Sequence, residues 1–181
     1  NKSTKKRQPL PYTVQEKIDA SLSLKNEGNS KFSSKEWNKA KVCYSKIFAY
    51  LNGIIEENEY SAYKSALGIE KPNDEQVKII KEILVATHSN LSATFLKLNK
   101  FSEALNEANK ALILDPDHTK AKYRKAQSLV ERNEFEEAIK ILSILKKSNP
   151  TDCEIERSLK IAKEKSKKFN KAEMKHFSKM F

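Results

Sequence analysis

The chain has 181 residues with only 3 Gly and 5 Pro, enough for one domain with a continuous core but too few turn-formers for a sandwich or barrel of many short strands. No run approaches about 18 consecutive apolar residues, the length a membrane-spanning helix needs. The net charge of +11 sits at the ends: residues 1–11 hold four Lys/Arg and no acid, and residues 157–181 hold nine Lys/Arg against Glu164 and Glu173, leaving 12–156 neutral overall, which argues against a nucleic-acid-binding core.

The first residue is Asn1 rather than Met, and no signal-peptide pattern follows, so the chain reads as a fragment or processed piece of a larger protein. Residues 1–11 form a basic linker. Lys5, Lys6 and Arg7 would also suit a nuclear address, although a solvated linker is the plainer reading. The folded part spans 12–156. Within it LKNEGNSKF (24–32) and WNKAKVCYSKI (37–47) predict a helix pair over 21–54, with Ala40 as a small residue in the second helix. Residues 55–84 are not low-complexity. They read as the second helix running on, a turn near Gly68–Asp74, and an early start of the next helix, with Pro72 and the pair Asn73 and Gln76 as its start signal.

Next come FSEALNEANKALILDP (101–116) and FEEAIKILSILKKSNP (135–150), which align at an offset of 34 residues. Phe101 matches Phe135, Ala104 matches Ala138, and Pro116 matches Pro150. A small residue lets two helices approach closely, and a proline, lacking a backbone N–H, stops the second one. The repeat units are then about 21–54, 85–118 and 119–152. After them Ile155, Leu159 and Ala162 recur at helical spacing and should cap the open end. The remainder, 157–181, is a basic C-terminal helix extension.

Neither cysteine has metal-ligand or redox spacing. Cys43 lies in an apolar helical pattern as a small hydrophobe, and two lone thiols suit a reducing compartment such as the cytoplasm. His88, His118 and His176 are far apart, so no metal is expected. No nucleophile–base pair, acid pair or phosphate loop is visible, so the chain is not expected to be an enzyme or to need a cofactor.

A 34-residue period with these markers resembles the tetratricopeptide repeat (TPR) over most of 21–152. The resemblance implies an all-α solenoid of three helix pairs plus a long C-terminal capping helix. The lengthened helices at 55–84, the entry PYTVQEKIDASLSLKNEGN and the exit KKFNKAEMKHFSKMF resemble the TPR segment of large FKBP-type immunophilins. In those proteins the segment follows prolyl-isomerase domains, none of which this chain encodes. Two positions depart from the family pattern. Ser92 stands where Gly or Ala is usual in the second repeat, and Lys31 stands where an aromatic is usual in the first, with Phe32 beside it.

The resemblance also implies a site. Lys25 and Asn29 in the first repeat, Asn90 in the second, and Lys120 and Arg124 in the third match the carboxylate clamp of co-chaperone TPR domains. That clamp holds the C-terminal EEVD-type peptide of heat-shock protein 90, with the heat-shock protein 70 tail as the alternative, since both end alike. The residue types suit the ligand. A terminal Asp presents two carboxylates; Lys25 and Lys120 supply charge, Arg124 a planar fork, and the two Asn side chains donors without charge. Phe32 is a candidate contact for an apolar peptide side chain, or equally a core residue. A rival reading places function in the basic C-terminal helix, where Phe169, Met174, Phe177, Met180 and Phe181 stand among many Lys. Such a helix suits calmodulin, an acidic membrane or nucleic acid, with a solvated terminal helix as the plain alternative.

Overall fold

The computed structural model describes residues 13–55 and 71–177. Every regular element among them is an α-helix: α1 (Val14–Ser33), α2 (Trp37–Leu51), α3 (Asp74–Lys97), α4 (Phe101–Leu114), α5 (Thr119–Glu131), α6 (Phe135–Ser148) and α7 (Cys153–Phe177). The chain divides into two compact units, 1–84 and 85–181.

In the first unit α1 and α2 pack as a pair. The Thr13 side chain accepts from the Glu16 N–H while the Glu16 carboxylate accepts from the Thr13 N–H, a capping box that satisfies two donors at the start of α1. The pair buries Val14 and Ile18 of α1 against Ala40, Tyr44, Ile47 and Leu51 of α2. Cys43 is buried there as expected and Cys153 is exposed; both thiols are free. Burial, and then the neighbouring Glu27, push the Cys43 thiol up from its ordinary pKa.

One expectation needs correction. The α2 helix does not run on beyond 54 but ends at Leu51. Asn52 turns to an extended backbone (ψ 135°), and Gly53 takes a left-handed conformation (φ 74°) that glycine enters without steric cost. The turn expected near Gly68–Asp74 lies largely outside the described residues. At its far side α3 begins at Asp74, eleven residues before the repeat register, as the start signal predicts. Asn73 and Gln76 exchange side-chain-to-backbone hydrogen bonds at 2.8 and 3.0 Å.

In the second unit α4 packs on α5, α5 on α6, and α6 on α7. Ala104, Ala108 and Ala111 of α4 and Ala126 and Ala138 further on are fully buried, so backbones approach closely at each crossing. Leu129, Leu142 and Leu145 fill the space around Ala138. Ile155 and Ala162 of α7 are buried in the same cluster with Leu159 against it, so the capping role expected of them is what they do. The α4 and α6 helices end at Leu114 and Ser148, two residues before Pro116 and Pro150. The Asp152 side chain caps α7, accepting from the N–H groups of Glu154 and Ile155. The α7 helix continues without a break through 157, and from Lys167 to His176 its residues are exposed.

The repeat is also written in the backbone. Each turn between the helices of a pair has one left-handed residue at the same register position: Lys35 (φ 60°), Asn99 (φ 56°) and Asn133 (φ 63°). Each is followed by a residue whose N–H returns to the preceding helix at 2.9 Å: Glu36 to Lys31, Lys100 to Phe95, and Glu134 to Leu129. That bond satisfies a carbonyl which the helix end would otherwise leave unpaired.

Candidate functional site

The five candidate residues each stand on the first helix of a repeat: Lys25 and Asn29 on α1, Asn90 on α3, Lys120 and Arg124 on α5. Within each of the two pairs a four-residue spacing puts the side chains on one face, about 6 Å apart along the axis. Lys25, Asn90 and Arg124 are half-buried; Asn29 and Lys120 are exposed.

In the first unit Asn29 has a defined partner. The Tyr44 hydroxyl donates to Asn29 Oδ1 at 2.8 Å, across from α2 to α1. Tyr44 is almost fully buried, and its ring lies against Gly28. Phe32 is half-buried and meets Trp37 edge-to-face, ring centroids 4.9 Å apart, so part of its surface is committed to the turn between α1 and α2. Lys31, at its atypical position, pairs with Glu36 at 3.3 Å, and Glu36 also holds Lys39.

In the second unit Lys120 and Arg124 rise from a helix start capped by His118, whose Nδ1 accepts from the Ala121 N–H at 3.2 Å. Burial is the main cause that holds the His118 pKa below its ordinary value. Lys120 and Arg124 lower it further, while Asp115 opposes them. The neutral ring is the form that can accept this bond. The Asn90 carbonyl takes the Thr94 hydroxyl at 2.8 Å, and the Arg124 carbonyl takes the Ser128 hydroxyl at 2.9 Å. Ser92 resolves the other departure from the family pattern. It is fully buried, and its hydroxyl donates to the Ala104 carbonyl at 2.7 Å, so a polar side chain is satisfied where Gly or Ala is usual.

Sequence reasoning missed three of these partners. His118 is not a residue type that marks a helix start. Tyr44 looks like core. His88 meets the buried Glu107 at 2.7 Å, and Glu107 also holds Lys110 at 2.7 Å. Burial alone would raise the Glu107 pKa, but the His88 and Lys110 hydrogen bonds outweigh it and lower it.

Residues 95–159 match the family model for the tetratricopeptide repeat. Over 88% of its length the chain superposes on the C-terminal TPR-containing domain of a putative FK506-binding protein of Plasmodium falciparum, with TM-score 0.74 and 24% identity, covering 97% of that structure. Residues 95–159 carry the tetratricopeptide-repeat match, and the chain has the fold of a TPR domain. It is 28% identical over 167 residues (92% of the chain) to FK506-binding protein 59 of Drosophila melanogaster. It is 25% identical over 177 residues (98% of the chain) to peptidyl-prolyl cis-trans isomerase FKBP4 of Bos taurus. The domain spans about a third of those relatives, 34% and 35% of their lengths.

Two further structures share the fold. The first TPR of Spaghetti (RPAP3), bound to HSP90 peptide SRMEEVD, matches with TM-score 0.59 at 20% identity, over 81% of this chain and 95% of that one. The second TPR domain of human RPAP3, in complex with HSP70 peptide SGPTIEEVD, matches with TM-score 0.58 at 18% identity, over 81% and 98%. Among the described residues no helix is long and apolar enough to cross a membrane.

Proposed function

We propose that the domain binds the C-terminal EEVD-type peptide of a heat-shock protein 90 or 70 chaperone, as the TPR part of an FKBP-type immunophilin. Lys25, Asn29, Asn90, Lys120 and Arg124 supply the donors. The observation that carries this reading is the placement of all five on first helices of repeats, with cationic or amide side chains one turn apart on α1 and again on α5. Two fold neighbours bound to peptides ending in EEVD support the ligand class. Charge-assisted hydrogen bonds contribute about 1.5–3 kcal/mol each. Several of them, less the cost of association, give about 8 kcal/mol, which is micromolar affinity and suits a reversible adaptor.

Calorimetry with the pentapeptide MEEVD tests it. Micromolar binding is expected, falling at least about tenfold when the peptide's C-terminus is amidated or Arg124 is replaced by Ala. Binding indifferent to amidation, or none, would remove the clamp reading. Titrating the two chaperone tails side by side then assigns the preference between them.

A second reading concerns α7. Its exposed stretch presents Lys167, Lys168, Lys171 and Lys175, with Met174 74% exposed, a composition that suits calmodulin. Phe169 is less available, because its ring packs edge-to-face on Phe135 with centroids 5.7 Å apart. A calcium-dependent pull-down with calmodulin that recovers no domain would dispose of this reading.

A further inference from the structure

The α7 helix repeats the register of a first helix. It begins at Cys153, 34 residues after α5 begins at Thr119. Arg157, Ser158, Ile161 and Lys165 therefore stand where Tyr123, Arg124, Gln127 and Glu131 stand on α5. Two contacts hold the matching faces side by side. The Tyr123 and Ser158 hydroxyls are hydrogen-bonded at 2.7 Å, and Lys165 meets Glu131 at 2.8 Å. Ile161 lies between these ties, one turn from each, and is 43% exposed.

We infer that α7 belongs to the peptide-binding face and is not only a cap: Ile161 receives the apolar side chain that precedes the EEVD motif, and Arg157 a glutamate carboxylate of that motif. This rests on the clamp reading above and extends it by one helix. Three observations carry it.

The first is the exposure of Ile161, since a terminal capping element ordinarily leaves a polar face open. Among the described residues the other exposed large hydrophobics lie elsewhere. Val42, Ile113 and Ile144 are on second helices, and Phe169 and Met174 are on α7 past the length of α5. Within this set Ile161 alone continues the face that carries Lys120 and Arg124. The second observation is charge. At these register positions α5 and α7 carry Lys120, Arg124, Arg157 and Lys165 against Glu131 and Glu154, and Lys165 already offsets Glu131. An acidic segment is drawn to such a face. The third is reach. Ile161 is one helix over and one turn on from Arg124, about 10 Å away. An extended peptide covers about 3.3 Å per residue, so a residue about three or four before a clamped terminal Asp arrives there. In the peptides SRMEEVD and SGPTIEEVD the residue four before the terminal Asp is Met or Ile, and two glutamates follow it.

The test is calorimetry on the whole 181-residue chain with MEEVD and AEEVD. Ile161→Ala should weaken MEEVD binding about threefold and leave AEEVD binding unchanged, because loss of either partner removes the same contact. The AEEVD arm also controls for any loss of folded protein. Arg157→Glu, at an exposed position, should weaken both peptides about fivefold, and less in high salt.

Equal losses on both peptides from Ile161→Ala overturn the apolar contact. Wild-type MEEVD affinity in either variant overturns the role of that residue. If Arg124→Ala is still defective, the clamp reading stands and the peptide leaves α5 on the side away from α7. If the wild type does not distinguish MEEVD from its amide, the clamp reading fails and the α7 contact falls with it.

Discussion

The α1/α2 pair and the α5/α6 pair occupy the same register of a 34-residue repeat, yet they solve their closest approach differently. In the first, no side chain stands on α1 and an aromatic ring from α2 fills the space, Gly28 against Tyr44. In the third repeat the same two positions are Ala126 and Leu142, both fully buried in one hydrophobic cluster. The second repeat uses a third device, a buried Ser92 hydroxyl bonded to the Ala104 carbonyl. The repeat conserves distance between helices and leaves the chemistry at the crossing open. Where the chemistry differs, a side chain can be spared for another task, and in the Gly–Tyr combination the Tyr44 hydroxyl donates to Asn29 Oδ1.

The comparison can be broken at its tightest point. Gly28→Ala puts a methyl into the Tyr44 ring and should destabilise the domain by about 2–3 kcal/mol, read by urea or thermal unfolding. Adding Tyr44→Leu rebuilds the Ala–Leu combination of the third repeat and should recover a large part of that loss. If the double variant is no more stable than Gly28→Ala, the two repeats are not alternative solutions to one packing problem.

A smaller effect separates the units by their polar interiors. Glu107→Gln should cost about 1–2 kcal/mol near neutral pH, since it removes the carboxylate charge from the bonds to His88 and Lys110. The sign with pH follows from the lowered carboxyl pKa. The unfolded chain takes up the Glu107 proton first as pH falls, at its ordinary value of 4.5, so the ionised side chain stabilises the fold above that pH. The benefit is lost on acidification through the lower folded value. Stability curves of wild type and variant should therefore draw together as pH falls below 4.5 and through the lowered folded value. A gap that stays constant there would mean that the carboxylate's charge is not what stabilises.

The smallest effect sharpens the comparison in the turns. Lys35 has the left-handed backbone that Asn99 and Asn133 adopt at the matching positions. Asparagine tolerates that conformation better than lysine, so Lys35→Asn should raise stability by about 0.5 kcal/mol in the same unfolding assay.

Much of this was legible in advance, and the reasons for the rest are physical. The period, the small residues at the crossings, the prolines past α4 and α6, and the Asn73–Gln76 start signal all depend on residues close in sequence or at a fixed offset. The end of α2 was misread because Ile54 and Ile55 continue the apolar spacing, whereas the conformation of Gly53 decides it. Tyr44 and Asn29 are fifteen residues apart, and His88 and Glu107 nineteen. Contacts across a helix pair leave no local spacing, and a glutamate in a helix reads as a solvated charge until its neighbour is known. Of the candidate site, the residue types and their pairing along α1 and α5 were visible, while what holds each side chain was not.

The two thiols also give the chain an internal clock. Cys153, exposed at the first position of α7, should react with a thiol reagent at once. Cys43, buried between α1 and α2 and held in its unreactive protonated form, can react only when that pair opens. The slow phase of labelling therefore times the opening of the first repeat alone, in unmodified protein, and a bound peptide that grips α1 should lengthen it.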